Sequence, residues 1–159
     1  MPVIRGRGEH LPFGAGSFDL MVCLWVLEHL DQPEVVFKEV RRVLRPGGHF
    51  VFLTPNLSNP LLLMNRMAKA LPQLQRRIVP RLYGRREADT FPVRYRANTA
   101  AAIRAQAARS GLEVVTLRAV SDPTYLAVNP LMFRASVLSE RFLPASRGVH
   151  LLGDLTPAD

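Results

Sequence analysis

The sequence predicts an α/β fold, and three neighbouring stretches carry that prediction. Phe18–Leu27, "FDLMVCLWVL", is apolar almost without alternation, which fits a strand buried on both faces as in a parallel sheet. A helix with start and stop signals follows over 31–45. His49–Asn56, "HFVFLTPN", then reads as a second strand. A strand, a helix and a strand joined by short loops form a βαβ unit, with parallel strands and a right-handed crossover.

The elements can be justified in order. "GEHLPFGAGSFDL" opens with a polar loop in which Gly14, Gly16 and Ser17 are turn residues. In the helix, Asp31 or Gln32 can cap, and Pro33 suits the first helical position. Val36, Phe37, Val40, Val43 and Leu44 make one apolar stripe. Glu34 suits the amino end of the helix dipole, and Arg41, Arg42 and Arg45 suit the carboxyl end. Pro46-Gly47-Gly48 is expected to stop the helix. Residues 57–97 mix helical stretches with Pro60, Pro72, Pro80 and Pro92, and read as two short helices and a basic connector. Asn98 or Thr99 caps an alanine-rich helix that Gly111 ends. "LEVVTLRAV" is a strand. Asn129-Pro130 opens a helical segment running to about Leu143, and "GVHLLGDL" is a final strand.

Composition narrows the classes. At 159 residues the chain suits one domain with a real core, and 48% hydrophobic residues argue against disorder. No apolar run reaches the ~18 residues that cross a bilayer, and "MPVIRGRGEH" has no apolar signal region. The single cysteine, Cys23, excludes an intramolecular disulfide framework and fits a reducing, cytoplasmic setting. It lies in an apolar run and is expected to be an inert core thiol. The net charge is +8, and nine arginines fall within residues 76–109. Such a stretch could meet phosphate, an acidic substrate or a membrane surface. Arginine outnumbers lysine 19 to 2, so a compositional bias with a solvated basic face is the simpler reading.

The text from Leu11 to Asn56, "LPF…SFDLMVCLWVLEHLDQPEVVFKEVRRVLRPGGHFVFLTPN", resembles class I S-adenosylmethionine-dependent methyltransferases of the type 11, UbiE-like group. The "LPF" loop, "SFD", "LEH", "RVLRPGG" and the strand ending "PN" occur in order at the family's spacing. "YRANTAAAIRAQAARSGLEVVTLR", Tyr95 to Arg118, is similar to the family's late helix and strand. The resemblance implies the fourth to seventh strands of a seven-stranded Rossmann-like sheet. It implies a single partial domain over 1–159, with 57–97 as a variable, basic helical cap inserted within it. The family's first strand, its glycine-rich loop and the acid ending its second strand belong before Leu11, where ten residues stand. The expectation is a chain lacking the cofactor half, with Met1 an internal methionine of a longer product. Gly6–Gly8 and Gly14–Gly16 neither follow a strand nor open a helix, so neither suits a cofactor loop.

The resemblance also assigns candidate residues. Glu9, His10, Leu11, Leu24 and Trp25 would meet the cofactor, S-adenosylmethionine. The family often carries an acid where Arg7 stands, and arginine cannot accept a hydrogen bond from adenine. Leu24 and Trp25 sit where ligands bind in open α/β sheets, though both also suit a core. His29 is the candidate catalytic base, with orientation or packing as its alternative. Glu28, Pro55 and Asn56 would line the acceptor site, and Asn56 also suits a plain turn. Asp19, opening a strand, reads as structural. His10, His49, His150 and Cys23 show no metal-ligand spacing.

The function expected is methyl transfer to a small or lipid-like acceptor, with this chain inactive alone if the cofactor loop is absent. An alternative is a non-catalytic protein whose exposed fourth strand recruits a second copy or a partner. Peripheral membrane contact through 57–97 is a further expectation. A nucleic-acid-binding module is the weakest reading, because charge alone supports it.

Overall fold

A computed structural model of the chain describes residues 3–69, 92–124 and 130–158. The elements run β1 (Phe18–Leu24), α1 (Pro33–Val43), β2 (Leu44–Pro55), α2 (Pro60–Lys69), α3 (Ala100–Arg109), β3 (Leu112–Val120), α4 (Pro130–Glu140) and β4 (His150–Pro157). Single 3-10 turns cover Leu27–His29 and Ala145–Arg147. The sheet order is β1-β2-β4-β3. β1 and β2 are parallel, as a βαβ unit requires, while β4 runs antiparallel to both β2 and β3. The second helix and basic connector expected within 57–97 lie largely outside the described residues, as do Asn129 and five of the nine clustered arginines.

The core lies on one face of this sheet. Val36, Phe37, Val40 and Val43 recur at helical spacing, so α1 presents one apolar stripe. From that stripe Val36, Phe37 and Val40 share one core cluster with Ile103 and Ala107 of α3 and with Phe50, Phe52, Leu151 and Leu155 of the sheet. Burying each large side chain of this kind contributes roughly 1.5–3 kcal/mol. Phe37 meets Phe50 edge-on, with ring centroids 5.9 Å apart.

Four expectations need correction. First, β1 is not buried on both faces. Met21 and Cys23 pack against the core, but Leu20, Val22 and Leu24 point the other way and remain 55%, 57% and 52% exposed. The helices that pack on the core, α1 and α3, lie on one side only. Second, the apolar run does not stay extended to Leu27: β1 ends at Leu24, as the placing of Leu24 and Trp25 at the strand end implied, Trp25 turns left-handed (φ 58°), and Leu27 enters the 3-10 turn. Third, α1 ends at Val43, before Pro46. Leu44 is already extended and buried, pairing with Phe18, and the next registered pair is Leu20 with His49. The Pro-Gly-Gly segment is thus a bulge within β2 and not a helix stop. Fourth, Gln32 occupies the cap position of α1 without a side-chain hydrogen bond. Of the two candidates for α3, Thr99 is the cap, accepting from the Ala102 amide at 3.1 Å. Asn98 is used elsewhere.

Candidate active site

The carboxyl ends of β1, β2 and β3 and the amino end of β4 meet at one edge of the fold. Leu24 ends β1 opposite Leu53, and Pro55 pairs with His150. Ligands in open α/β sheets settle at this end.

A buried polar chain lies beneath the mouth. Glu28 is 5% exposed. The Thr54 hydroxyl donates to its Oε2 at 3.1 Å, and Asn98 Nδ2 donates to Thr54 Oγ1 at 2.7 Å and to Pro55 O at 3.2 Å. The Glu28 carbonyl accepts from the Arg94 and Tyr95 amides at 2.7 and 3.0 Å. Asn98 Oδ1 is buried and has no hydrogen-bond partner among the described residues. The carboxylate acts on its neighbours. Burial, then the Glu28 charge, pushes the Cys23 thiol up to about 11. Burial, then the same charge, raises the Tyr95 phenol, partly offset by Arg66. Cys23 is therefore a protonated, unreactive thiol near neutral pH.

At the rim, the Trp25 amide donates to Leu53 O at 3.0 Å and its indole meets the His150 ring edge-on at 4.8 Å. The indole is 40% exposed. Left-handed backbone on a bulky residue is uncommon and costs of order 1 kcal/mol or more, and such strain concentrates at ligand clamps. His150, one of the histidines that looked scattered along the chain, is buried here. Its Nε2 lies 3.2 Å from Asp122 Oδ2. The Thr124 hydroxyl, followed by His150, holds the Asp122 carboxyl below its ordinary range. Nothing in the sequence links residues 25, 122 and 150. Only the antiparallel return of β4 brings them together.

The remaining candidates take other positions. His29 is half-buried on the 3-10 turn with Nδ1 3.0 Å from Pro92 O; a carbonyl only accepts, so Nδ1 carries the proton. Pro55 and Asn56 are buried. Asn56 Nδ2 donates to Ser146 O and Gly148 O at 3.2 and 2.8 Å, and Oδ1 accepts from the Ser58 amide at 3.0 Å. These bonds tie the end of β2 to the loop entering β4. Glu9, His10 and Leu11 form a separate group before β1. Glu9 lies 4.0 Å from Arg7, the His10 amide donates to Arg7 O, and the Leu11 amide donates to Glu39 Oε1 at 2.8 Å. Arg42 completes that anchor. It grips Glu39 at 2.6 and 2.8 Å and donates to Leu11 O and Phe13 O. The "LPF" loop is thereby pinned to α1. Arg45 does the same for the next turn, reaching Gly16 O and Asp19.

Beside the mouth, Asn59, Ser121, Leu143, Pro144, Ala145, Arg147 and Gly148 line a cavity of about 260 Å³. Among the described residues no group of three or more His, Cys, Asp or Glu could hold a metal ion.

Residues 1–52 match the model of a methyltransferase domain family. The match is confined to the first third of the chain. A ubiquinone biosynthesis O-methyltransferase from Cronobacter sakazakii is 38% identical over 48 residues, covering 30% of this chain and 20% of the relative. A mitochondrial 2-methoxy-6-polyprenyl-1,4-benzoquinol methylase from Xenopus laevis is 37% identical over 60 residues, 37% of this chain and 19% of the relative. The match thus spans about a fifth of each relative's length. The methyltransferase solved with the Haloferax volcanii Trm112 activator superposes with a TM-score of 0.61 at 14% identity, covering 97% of this chain and 60% of that one. At that identity the likeness shows the fold alone, a Rossmann-like α/β arrangement. The resemblance of Leu11–Asn56 implies S-adenosylmethionine as the cofactor.

The residues present fit one part of that cofactor. A half-exposed indole and a buried carboxylate at the strand ends suit a cationic sulfonium. The described residues include no glycine turn that follows a strand and opens a helix, the usual cradle for a nucleotide-like portion.

Proposed function

We propose that the chain forms the acceptor-facing wall of an S-adenosylmethionine-dependent methyl-transfer site whose acceptor is small or lipid-like. The observation that carries this reading is that buried Glu28, bonded to Thr54, and exposed Trp25, stacked edge-on against His150, both lie just beyond the carboxyl end of β1. The cofactor supplies an electrophilic methyl on a positively charged sulfur. Glu28 favours that charge, Trp25 offers it an aromatic face, and His29 on the same turn can accept a proton from an oxygen acceptor. Such a transfer depends mainly on placing nucleophile and methyl in line. Two relatives are named for ubiquinone biosynthesis and for polyprenyl-benzoquinol methylation, so prenylated phenols are the first acceptors to try.

Calorimetric titration of S-adenosylmethionine into the full chain tests the reading. Because the described residues hold no glycine-turn cradle, weak binding that is lost in Trp25→Ala and Glu28→Gln is expected. A folded sample that gives no heat would overturn cofactor binding by this chain.

A second reading rests on a different observation. β1 lies at a sheet edge and exposes Leu20, Val22 and Leu24. Unpaired edges recruit further strands, so this edge is proposed as a contact for a second copy or for a protein partner.

A further inference from the structure

We infer that α4 and the turn after it form a docking surface for an anionic lipid bilayer. The proposal deepens the lipid-like acceptor reading, because it supplies the surface from which such an acceptor would arrive. Leu131, Leu138 and Phe142 are 77%, 56% and 82% exposed. Their spacing of seven and four residues places them on one stripe of the helix and its continuing turn, where the Arg141 amide still donates to Leu138 O. Arg134 and Arg141 share that side and are exposed, while Ser136, on the opposite arc, is buried.

Charge complementarity selects the occupant. Arg134 and Arg141 make no ion pair among the described residues, whereas Arg42, Arg45, Arg94 and Arg109 each grip a carboxylate. Residues 130–149 hold three arginines against Glu140 alone. Apolar side chains flanked by unpaired arginines suit an interface whose interior is hydrocarbon and whose surface is phosphate. A second copy of this chain would instead bring +8 against +8. Position adds a reason. Phe142 is followed directly by Leu143, Pro144 and Ala145, which line the cavity beside the mouth. A bilayer held at α4 would therefore lie next to that opening.

Co-sedimentation of the full chain with vesicles tests this. Binding is expected to vesicles of phosphatidylcholine with phosphatidylglycerol, and not to phosphatidylcholine alone. Leu131→Glu with Phe142→Glu, and separately Arg134→Glu with Arg141→Glu, should each lower the partition constant about tenfold or more. Arg104→Glu, exposed on α3, should leave it unchanged. The proposal is overturned by an Arg104→Glu loss as large as that of the paired variants, because bulk charge would then explain binding. It is equally overturned by no binding to either vesicle, or by a dimer that Leu131→Glu with Phe142→Glu turns into a monomer. Titrating S-adenosylmethionine into the same variants keeps failure of docking distinct from failure of the methyl-transfer reading.

Discussion

Glu39 shows how much a single side chain can organise. Its carboxyl is held down at about 2, first by the Arg42 guanidinium and then by the Leu11 amide. A carboxylate of an unfolded chain titrates near 4.3. The folded value is the lower one, so the stabilisation is complete above about pH 5 and is lost as pH falls from there toward 2. Glu39→Gln should lower stability at neutral pH and flatten the acid limb of a urea-melt series between those limits. A variant whose acid limb matches the parent would rule out this anchor. Cys23 gives a second residue-level test. With its thiol near 11 and its side chain against the core, alkylation by iodoacetamide at pH 8 should be much slower than for a free thiol, and unfolding in urea should restore the rate. His29→Gln should lower turnover roughly 10²-fold with cofactor affinity unchanged if the imidazole accepts the proton. Unchanged turnover would assign His29 to orientation. Of these three residues, Cys23 and His29 stand out in the sequence. Glu39 does not, because Arg41, Arg42 and Arg45 look like simple dipole complements. In the fold, Arg42 and Arg45 instead pin loops 26–31 residues away, and Arg41 reaches Gly111 O and Ala158 O.

The elements depend on a few close approaches between strands. Gly153 on β4 registers opposite Phe52 on β2, and a Cβ there would come within 2.1 Å of the Phe52 ring. Glycine leaves the room in which that fully buried ring sits against Phe50. Gly153→Ala should destabilise by about 1–3 kcal/mol or more, and Phe52→Leu in the same chain should recover part of it. Chemical denaturation of the parent, the two single variants and the double variant measures both, and additive losses would refute the proposed clash. Local pattern made most elements visible: α1 through its stripe and Pro33, α3 through alanine and Gly111, β3 and β4 through short apolar runs. Their limits were less visible, because tertiary pairing sets them. Leu44 belongs to the apolar stripe of α1, yet Phe18 claims it for the sheet. The period-2 exposure of β1 is hidden because both of its faces are apolar, so the sequence does not say which one packs. The same gap hid His150 from the mouth. Its partners Trp25 and Asp122 are joined only by the antiparallel placing of β4 between β2 and β3.

At the scale of the whole sheet, the described core helices α1 and α3 pack on one side. On the other face, exposed Leu20, Val22 and Leu24 continue to half-buried Val51 and Leu53, and among these five residues there is no charge. Among the described residues, the one ion pair at β1 is Asp19 with Arg45, at its amino end. An exposed apolar edge of this kind favours association, whereas a net charge of +8 opposes it at low salt. The two tendencies can be separated, because salt screens the repulsion within about 10 Å and leaves apolar burial intact. The full chain should therefore shift toward larger species in light scattering as salt rises. Val22→Lys places a charge at the middle of the strand, on the face away from the core, and should hold the chain monomeric at every salt concentration. Arg118→Lys, on the far edge strand, should behave as the parent. A parent that stays monomeric as salt rises would leave the edge to a different protein, and would favour the partner-binding reading over self-association.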